Sequence, residues 1–316
     1  MNLSVKIEHR LVVKMGAQSV EKRTLIVGAG INLIMALAGW LAYYLSGSHA
    51  LLLDGNFSFI TFLFTLVAIS VSSIKSERTE LFPFGQFAYE SLYALLKGLM
   101  IIGMLLVAFT DNATKIFRFI GGETATLLNT EVIFVYSLSM TFLCFGLAVY
   151  YKYRSRQLND SSTILRAEYA AAIIDGVISA GVGIALVGIS YVNIDGYFGF
   201  LNYIGDSLLV MLLVVLLGKE PFVLVRDSFV EIAGGTLQNK AEKTNIEEIL
   251  ENSMPCDELL KDVYISKTGS NYFVVAYLDS KMLEKVGIEK ILQTKEKVSA
   301  TLRENYQNTV FEVVLA

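Results

Sequence analysis

Four charged side chains stand well inside apolar windows of helix length: Asp54, Lys97, Asp175 and Asp206. A charge set in hydrocarbon costs about 3 kcal/mol on insertion scales. Such residues face other protein or water, and they often line a path for ions or protons. Two of them share a pattern. Asp54-Gly55-Asn56-Phe57-Ser58 and Asp175-Gly176-Val177-Ile178-Ser179 both read D-G-x-x-S. A serine four residues on lies one turn along the same helical face as the aspartate. The glycine between them lets a second helix or an ion come close. Carboxylate and hydroxyl oxygens are hard ligands, suited to Mg²⁺, Mn²⁺ and similar ions. The other reading of the pattern is close helix packing with a hydrogen-bonded serine. His9 and His49 are the only histidines, and Cys144 and Cys256 the only cysteines, so any metal chemistry must rest on oxygen. Lys97 is the one mid-window cation, and it is expected to form a structural ion pair with Asp206 or Asp175.

The elements that must carry these residues follow from composition. Of 316 residues, 54% are hydrophobic and 18% charged, against about 25% charged in a soluble domain. Mean hydropathy is +0.54. A helix needs about 20 apolar residues to cross about 30 Å of hydrocarbon. Six windows qualify: 24–45, 49–73, 91–110, 132–151, 167–191 and 197–218. Glu168 lies near the end of the fifth, where water is close. The first window is too long and starts too far into the chain for a signal peptide. Three domains are expected: an N-terminal segment 1–23, a six-helix membrane domain 24–218, and a linker with a small soluble domain 219–316. Lys and Arg gather before the first window and after the second, fourth and sixth, so both termini are expected in the cytoplasm.

The last part reads as helix 246–253, strand 262–267, turn 268–271, strand 272–279, helix 288–305 and strand 310–315, with 219–245 as the connection. That α-β-β-α-β order suits an antiparallel sheet with helices on one face, a ferredoxin-like arrangement. A net charge of -4 leaves no basic footprint for nucleic acid. There is no nucleotide-binding glycine motif, no H-E-x-x-H and no Ser-His-Asp set, so an enzyme is not expected.

Depth decides which charges can meet. At 1.5 Å per residue, Asp54 lies about 9 Å from the short turn near Ser48, and Asp175 about 27 Å from the same side. Thr61, seven residues after Asp54, is then nearest in depth to Asp175. Asp206 comes out closer to Asp54. The carboxylates are expected to form stations along one path rather than one tight cluster.

Three stretches carry a family resemblance. Gly47-Ser48-His49-Ala50-Leu51-Leu52-Leu53-Asp54-Gly55 resembles the G-S-x-A-L-L-A-D-A opening of the second span in the cation diffusion facilitator family. Phe82-Pro83-Phe84-Gly85-Gln86-Phe87-Ala88-Tyr89-Glu90 resembles its H-P-F-G-x-G-x-x-E loop. Arg166-Ala167-Glu168 through Asp175 resembles its R-A-D-x-x-H-x-x-x-D start of the fifth span. The resemblance implies a six-helix all-α membrane bundle with a small dimerising α/β tail, and metal/proton antiport. It also marks departures. The four places of the family's zinc cage hold Phe57, Thr61, Ala171 and Asp175, of which only Asp175 is a good ligand. The loop histidines fall on Phe82 and Gln86.

The expectation is a secondary transporter exporting a divalent cation of the Mn/Fe/Zn class, with Asp175, Asp54, Ser58 and Thr61 as metal residues. The alternative is a regulatory or partner subunit without metal transport, or a transporter of another solute. No permanently bound cofactor is expected; the metal is the substrate. The bilayer, metal ions and a second copy of the chain are the expected partners, in the plasma or inner membrane.

Overall fold

The computed structural model describes residues 2–46, 49–122, 130–190, 197, 199–255, 259–281, 286–306 and 308–315. Gly47 and Ser48 of the first family stretch, and Cys256, lie outside them. The side chains of His9, His49 and Asp206 also lie outside the described part.

Seven helices come first: α1 (Asn2–Ser46), α2 (His49–Ile74), α3 (Ala88–Ile120), α4 (Thr130–Gln157), α5 (Thr163–Ser190), α6 (Leu201–Leu217) and α7 (Lys219–Ile232). The tail follows as α8 (Lys240–Glu251), β1 (Leu260–Thr268), β2 (Asn271–Leu278), α9 (Ile288–Asn305) and β3 (Asn308–Leu315). Among the described residues, five stretches are long and apolar enough to cross a membrane: 18–45, 54–74, 88–120, 134–157 and 203–232. The remaining sequence window, 167–191, falls mostly in α5, whose 28 residues carry Glu168 and Asp175.

Packing divides the bundle. One apolar cluster joins α1, α2 and α4 through Met35, Leu51, Met140 and Cys144. A second joins α3, α5 and α6 through Ile101, Ile174 and Val210. A third, at the tail end, ties both together through Leu25, Tyr93, Tyr151, Leu165 and Leu224. Glycines set the closest approaches. A Cβ on Gly55 would lie 2.9 Å from the Trp40 ring and 3.1 Å from the Ala36 carbonyl. One on Gly176 would lie 3.1 Å from Cys144 Cβ. Both glycines of the repeated pattern therefore serve helix packing.

The stretch after Gly218 is more than a connection. Pro221 has no N–H, and its ring would clash with the carbonyl of Leu217 in a continuous helix. The chain therefore breaks at Gly218 and restarts as α7. This helix buries Pro221, Leu224, Asp227, Ser228 and Glu231 on one face, packed along α3. The next helix starts at Lys240, six residues before its expected start. Asn239 caps it, accepting from Ala241 N at 3.1 Å and Glu242 N at 3.4 Å, while Glu242 accepts back from the Asn239 amide at 2.8 Å. This reciprocal cap holds a polar first turn that has no apolar period.

The tail order is α-β-β-α-β, as the sequence implies. Its sheet runs β1-β2-β3. β1 pairs antiparallel with β2, but β3 pairs parallel, which corrects the expected all-antiparallel sheet. The reason is α9, a crossover that returns the chain to the starting end of β2. Tyr272, Val274, Ala276 and Leu278 alternate into a core with Ile246, Leu250, Val298 and Leu302. Phe273, Val275 and Tyr277 point to the other face, where Tyr264 is half exposed.

Candidate functional site

A small cavity opens where the three apolar clusters meet. Asn32 and Met35 of α1, Thr61 of α2, Cys144, Leu147 and Tyr151 of α4, and Glu168, Ala171, Ala172 and Asp175 of α5 line it. Its size suits one water molecule or one ion stripped of most of its water. Asp175 and Thr61 face the same cavity, as the depth count from 1.5 Å per residue requires. Three of the four family-template places, Thr61, Ala171 and Asp175, line it; Phe57 does not.

Asp54 and Ser58 are not among the lining residues. Ser58 is buried. Asp54 accepts a short hydrogen bond from the Tyr136 hydroxyl of α4. Asp54 is thus set apart from the cavity that Asp175 lines.

Glu168 departs most from expectation. It is only 1% exposed, so it is buried in the bundle rather than open to bulk water. The Tyr93 hydroxyl donates a short hydrogen bond to its Oε1. Thr65 Oγ1 lies 3.3 Å and the Tyr151 hydroxyl 3.5 Å from its Oε2. Asn32 Nδ2 extends the network to Thr65 Oγ1 at 3.2 Å. Lys97 Nζ lies 3.3 Å from Glu168 Oε1. The described ion pair of Lys97 is therefore with Glu168, where the sequence suggested Asp206 or Asp175. Lys97 can reach Glu168 because α3 packs along α5. The sequence signal for Glu168 was present: it lies seven residues before Asp175 on one helical face, and a buried carboxylate there calls for a partner.

Between the bundle and the tail lies a polar joint. Glu90 Oε2 accepts from Ser270 N and Ser270 Oγ, both at 2.6 Å. Gly269 N donates to Ser91 Oγ at 2.8 Å and to Glu231 Oε2 at 3.1 Å. Thr163 Oγ1 donates to Gly269 O at 3.2 Å. The tight turn depends on Gly269 at φ +58, a backbone state that side chains disfavour. Lys75 bridges Glu90, at 2.8 Å, and Glu21, by a shorter contact; Ser162 Oγ donates to Glu21 at 2.7 Å. Burial alone would lower the Lys75 pKa, but the carboxylates of Glu90 and Glu21 outweigh it and hold the pKa above the usual lysine value. The ammonium therefore stays charged at neutral pH.

Among the described residues, no three His, Cys, Asp or Glu side chains converge to hold a metal ion. The cavity instead offers the carboxylates of Asp175 and Glu168, the neutral side chains of Thr61 and Asn32, and the sulfurs of Cys144 and Met35. Residues 25–233 match the cation efflux transmembrane domain. The match spans most of the chain, and with a six-window apolar sequence and an α/β tail it places the protein plainly: it belongs to the cation efflux family. Its members are transporters of metal cations. No curated protein matches the chain.

Proposed function

We propose that the protein is a secondary transporter that exports a divalent metal cation of the Mn/Fe/Zn class in exchange for protons. The observation that carries this reading is the cavity among α1, α2, α4 and α5, which Asp175 and Thr61 both line inside a membrane-crossing bundle. Asp175 is the central ligand, and Thr61 supplies a neutral oxygen. Asp54, with Ser58 one turn along, forms the approach from the end away from the tail. Metal and proton compete for the same carboxylate oxygens, which couples their movements. Few nitrogen or sulfur donors are present, and this favours Mn²⁺ or Fe²⁺ over Zn²⁺. The tail and both termini face the cytoplasm, in line with the basic residues on that side.

Flux into proteoliposomes tests the reading. A panel of Mn²⁺, Fe²⁺, Zn²⁺ and Mg²⁺ across a proton gradient should show saturable uptake of at least one ion, abolished by a protonophore. Uptake of none would rule the function out.

The tail pairs two copies of the chain through its outer sheet face, where Val275 and Tyr277 stand beside the half-exposed Tyr264, next to the Phe273 ring that Phe84 covers edge-on. Light scattering on the detergent-solubilised protein should give the mass of a dimer. Tyr277→Glu with Tyr264→Glu should shift it to a monomer, and an unchanged mass would move the interface elsewhere.

A further inference from the structure

We propose that Glu168 is a second cation station, at the tail-side end of the cavity, and that Lys97 is a resident cation which the transported ion displaces. The inference rests on the cavity of Asp175 being the transport site. Glu168 and Asp175 are seven residues apart on α5, about 10.5 Å along the axis and on one face. Both line the same cavity. Two neutral oxygen-bearing side chains, Thr61 and Asn32, line it with them. Thr61 Oγ1 is buried and has no hydrogen-bond partner among the described residues. A bound cation would give that oxygen a partner. Asn32 spends its amide N–H on Thr65, which leaves its carbonyl oxygen as the group it can offer to an ion.

Lys97 supports the same conclusion. Its Nζ is fully buried, yet it has no hydrogen-bond partner among the described residues. Its contacts are the 3.3 Å approach to Glu168 and the Phe64 ring at 5.7 Å. A buried ion pair stabilises a fold only with good geometry and its N–H groups satisfied. Here the ammonium's three donors are poorly used. Glu168, in contrast, is ringed by hydroxyls from three helices that hold its carboxylate in place. The anchored carboxylate beside a loosely held cation is suited to exchange. An entering ion takes the place of the ammonium at Glu168, then moves past Thr61 and Asn32 to Asp175. The charged donors of that route are carboxylate oxygens, with Cys144 and Met35 the sulfur side chains in the same wall, so the favoured substrate is a divalent cation of the Mn²⁺ kind.

The test uses the full chain in proteoliposomes, with Mn²⁺ supplied on the tail side and KM read from initial flux. Glu168→Gln should raise KM about tenfold or more, and Lys97→Gln should lower it, because the competing cation is gone. The double variant should keep the raised KM of Glu168→Gln. A structural pair gives the opposite pattern. Both single variants would then lose flux and melting temperature together, and the double variant would regain the wild-type KM; that result overturns the proposal. The Mn²⁺-induced rise in melting temperature of the detergent-solubilised protein gives a second readout, expected to shrink in Glu168→Gln and to persist in Lys97→Gln. Failure of the two readings can be told apart. If Asp175→Asn transports like wild type, the cavity is misassigned and the station falls with it. If Asp175→Asn is inactive while Lys97→Gln raises KM, only the station falls. Wild-type protein that neither transports Mn²⁺ nor is stabilised by it overturns both.

Discussion

Asp175→Asn should reduce metal-ion flux to background while the protein still reaches the membrane and assembles. Asparagine keeps the shape of the side chain but removes the charge and the exchangeable proton. Asp175 lines the cavity with Thr61, so a cation there loses its principal anionic ligand. In a low-dielectric interior that charge is worth several kcal/mol to a bound cation. Asp54→Asn should retain a measurable fraction of the flux, because Asp54 does not line the cavity and is tied to the Tyr136 hydroxyl. The comparison is read as ion uptake per milligram of reconstituted protein. Equal loss in both variants would place Asp54 within the first coordination shell; wild-type uptake from Asp175→Asn would remove the site assignment altogether.

The second large effect is expected at the joint. Glu90→Ala removes the acceptor for both groups of Ser270 and one of the two carboxylates around Lys75. Breaking a buried ion pair by deleting one partner costs about 3–5 kcal/mol. Part of that cost falls on the docking of the tail. The melting temperature should drop by several degrees, and limited proteolysis should cut near residues 233–239 earlier than in wild type. Glu90→Gln should lie between, since its carbonyl still accepts from Ser270 but its amide faces Lys75. An unaltered melt in Glu90→Ala would mean that the joint contributes little to holding the tail.

Part of the cavity's lining is legible in the sequence. The rise of a helix and the position of one short turn were enough to bring Thr61 level with Asp175, although 114 positions separate them in the sequence. The same count separates Asp54 from Asp175 in depth, and Asp54 does not line the cavity. Glu168 was misjudged because nearness to the end of an apolar window was taken as nearness to water. Its burial comes from Tyr93 and Lys97, which belong to another helix some seventy residues earlier in the chain. Such tertiary contacts leave no local pattern. The i to i+7 spacing of Glu90 and Lys97 was visible, but it said only that they share a face of α3, not that one end of that face grips the tail and the other meets Glu168. In the tail, strand and helix order came through because apolar alternation is strong there. The direction of β3 did not, because an isolated apolar strand carries no mark of which neighbour it joins. Helix α7 was missed for a different reason. Its buried face mixes Asp227, Ser228 and Glu231 with Leu224, so its period is hidden from hydropathy alone.

The crossing of α1 and α2 has a consequence for how the chain tolerates change. A Cβ on Gly39 would meet the backbone of Gly55 itself, 2.8 Å from its nitrogen, with Tyr136 Oη also at 3.1 Å. Backbone cannot turn aside as a flexible side chain can. Even alanine, the smallest replacement, must push the two helices apart, and Asp54 and Tyr136 lie beside the point of separation. Gly39 bears no charge and coordinates nothing. In a survey of inactive variants it would nevertheless fall in the same class as Asp175, and only its lack of chemistry would reveal that distance, rather than ligation, had been altered.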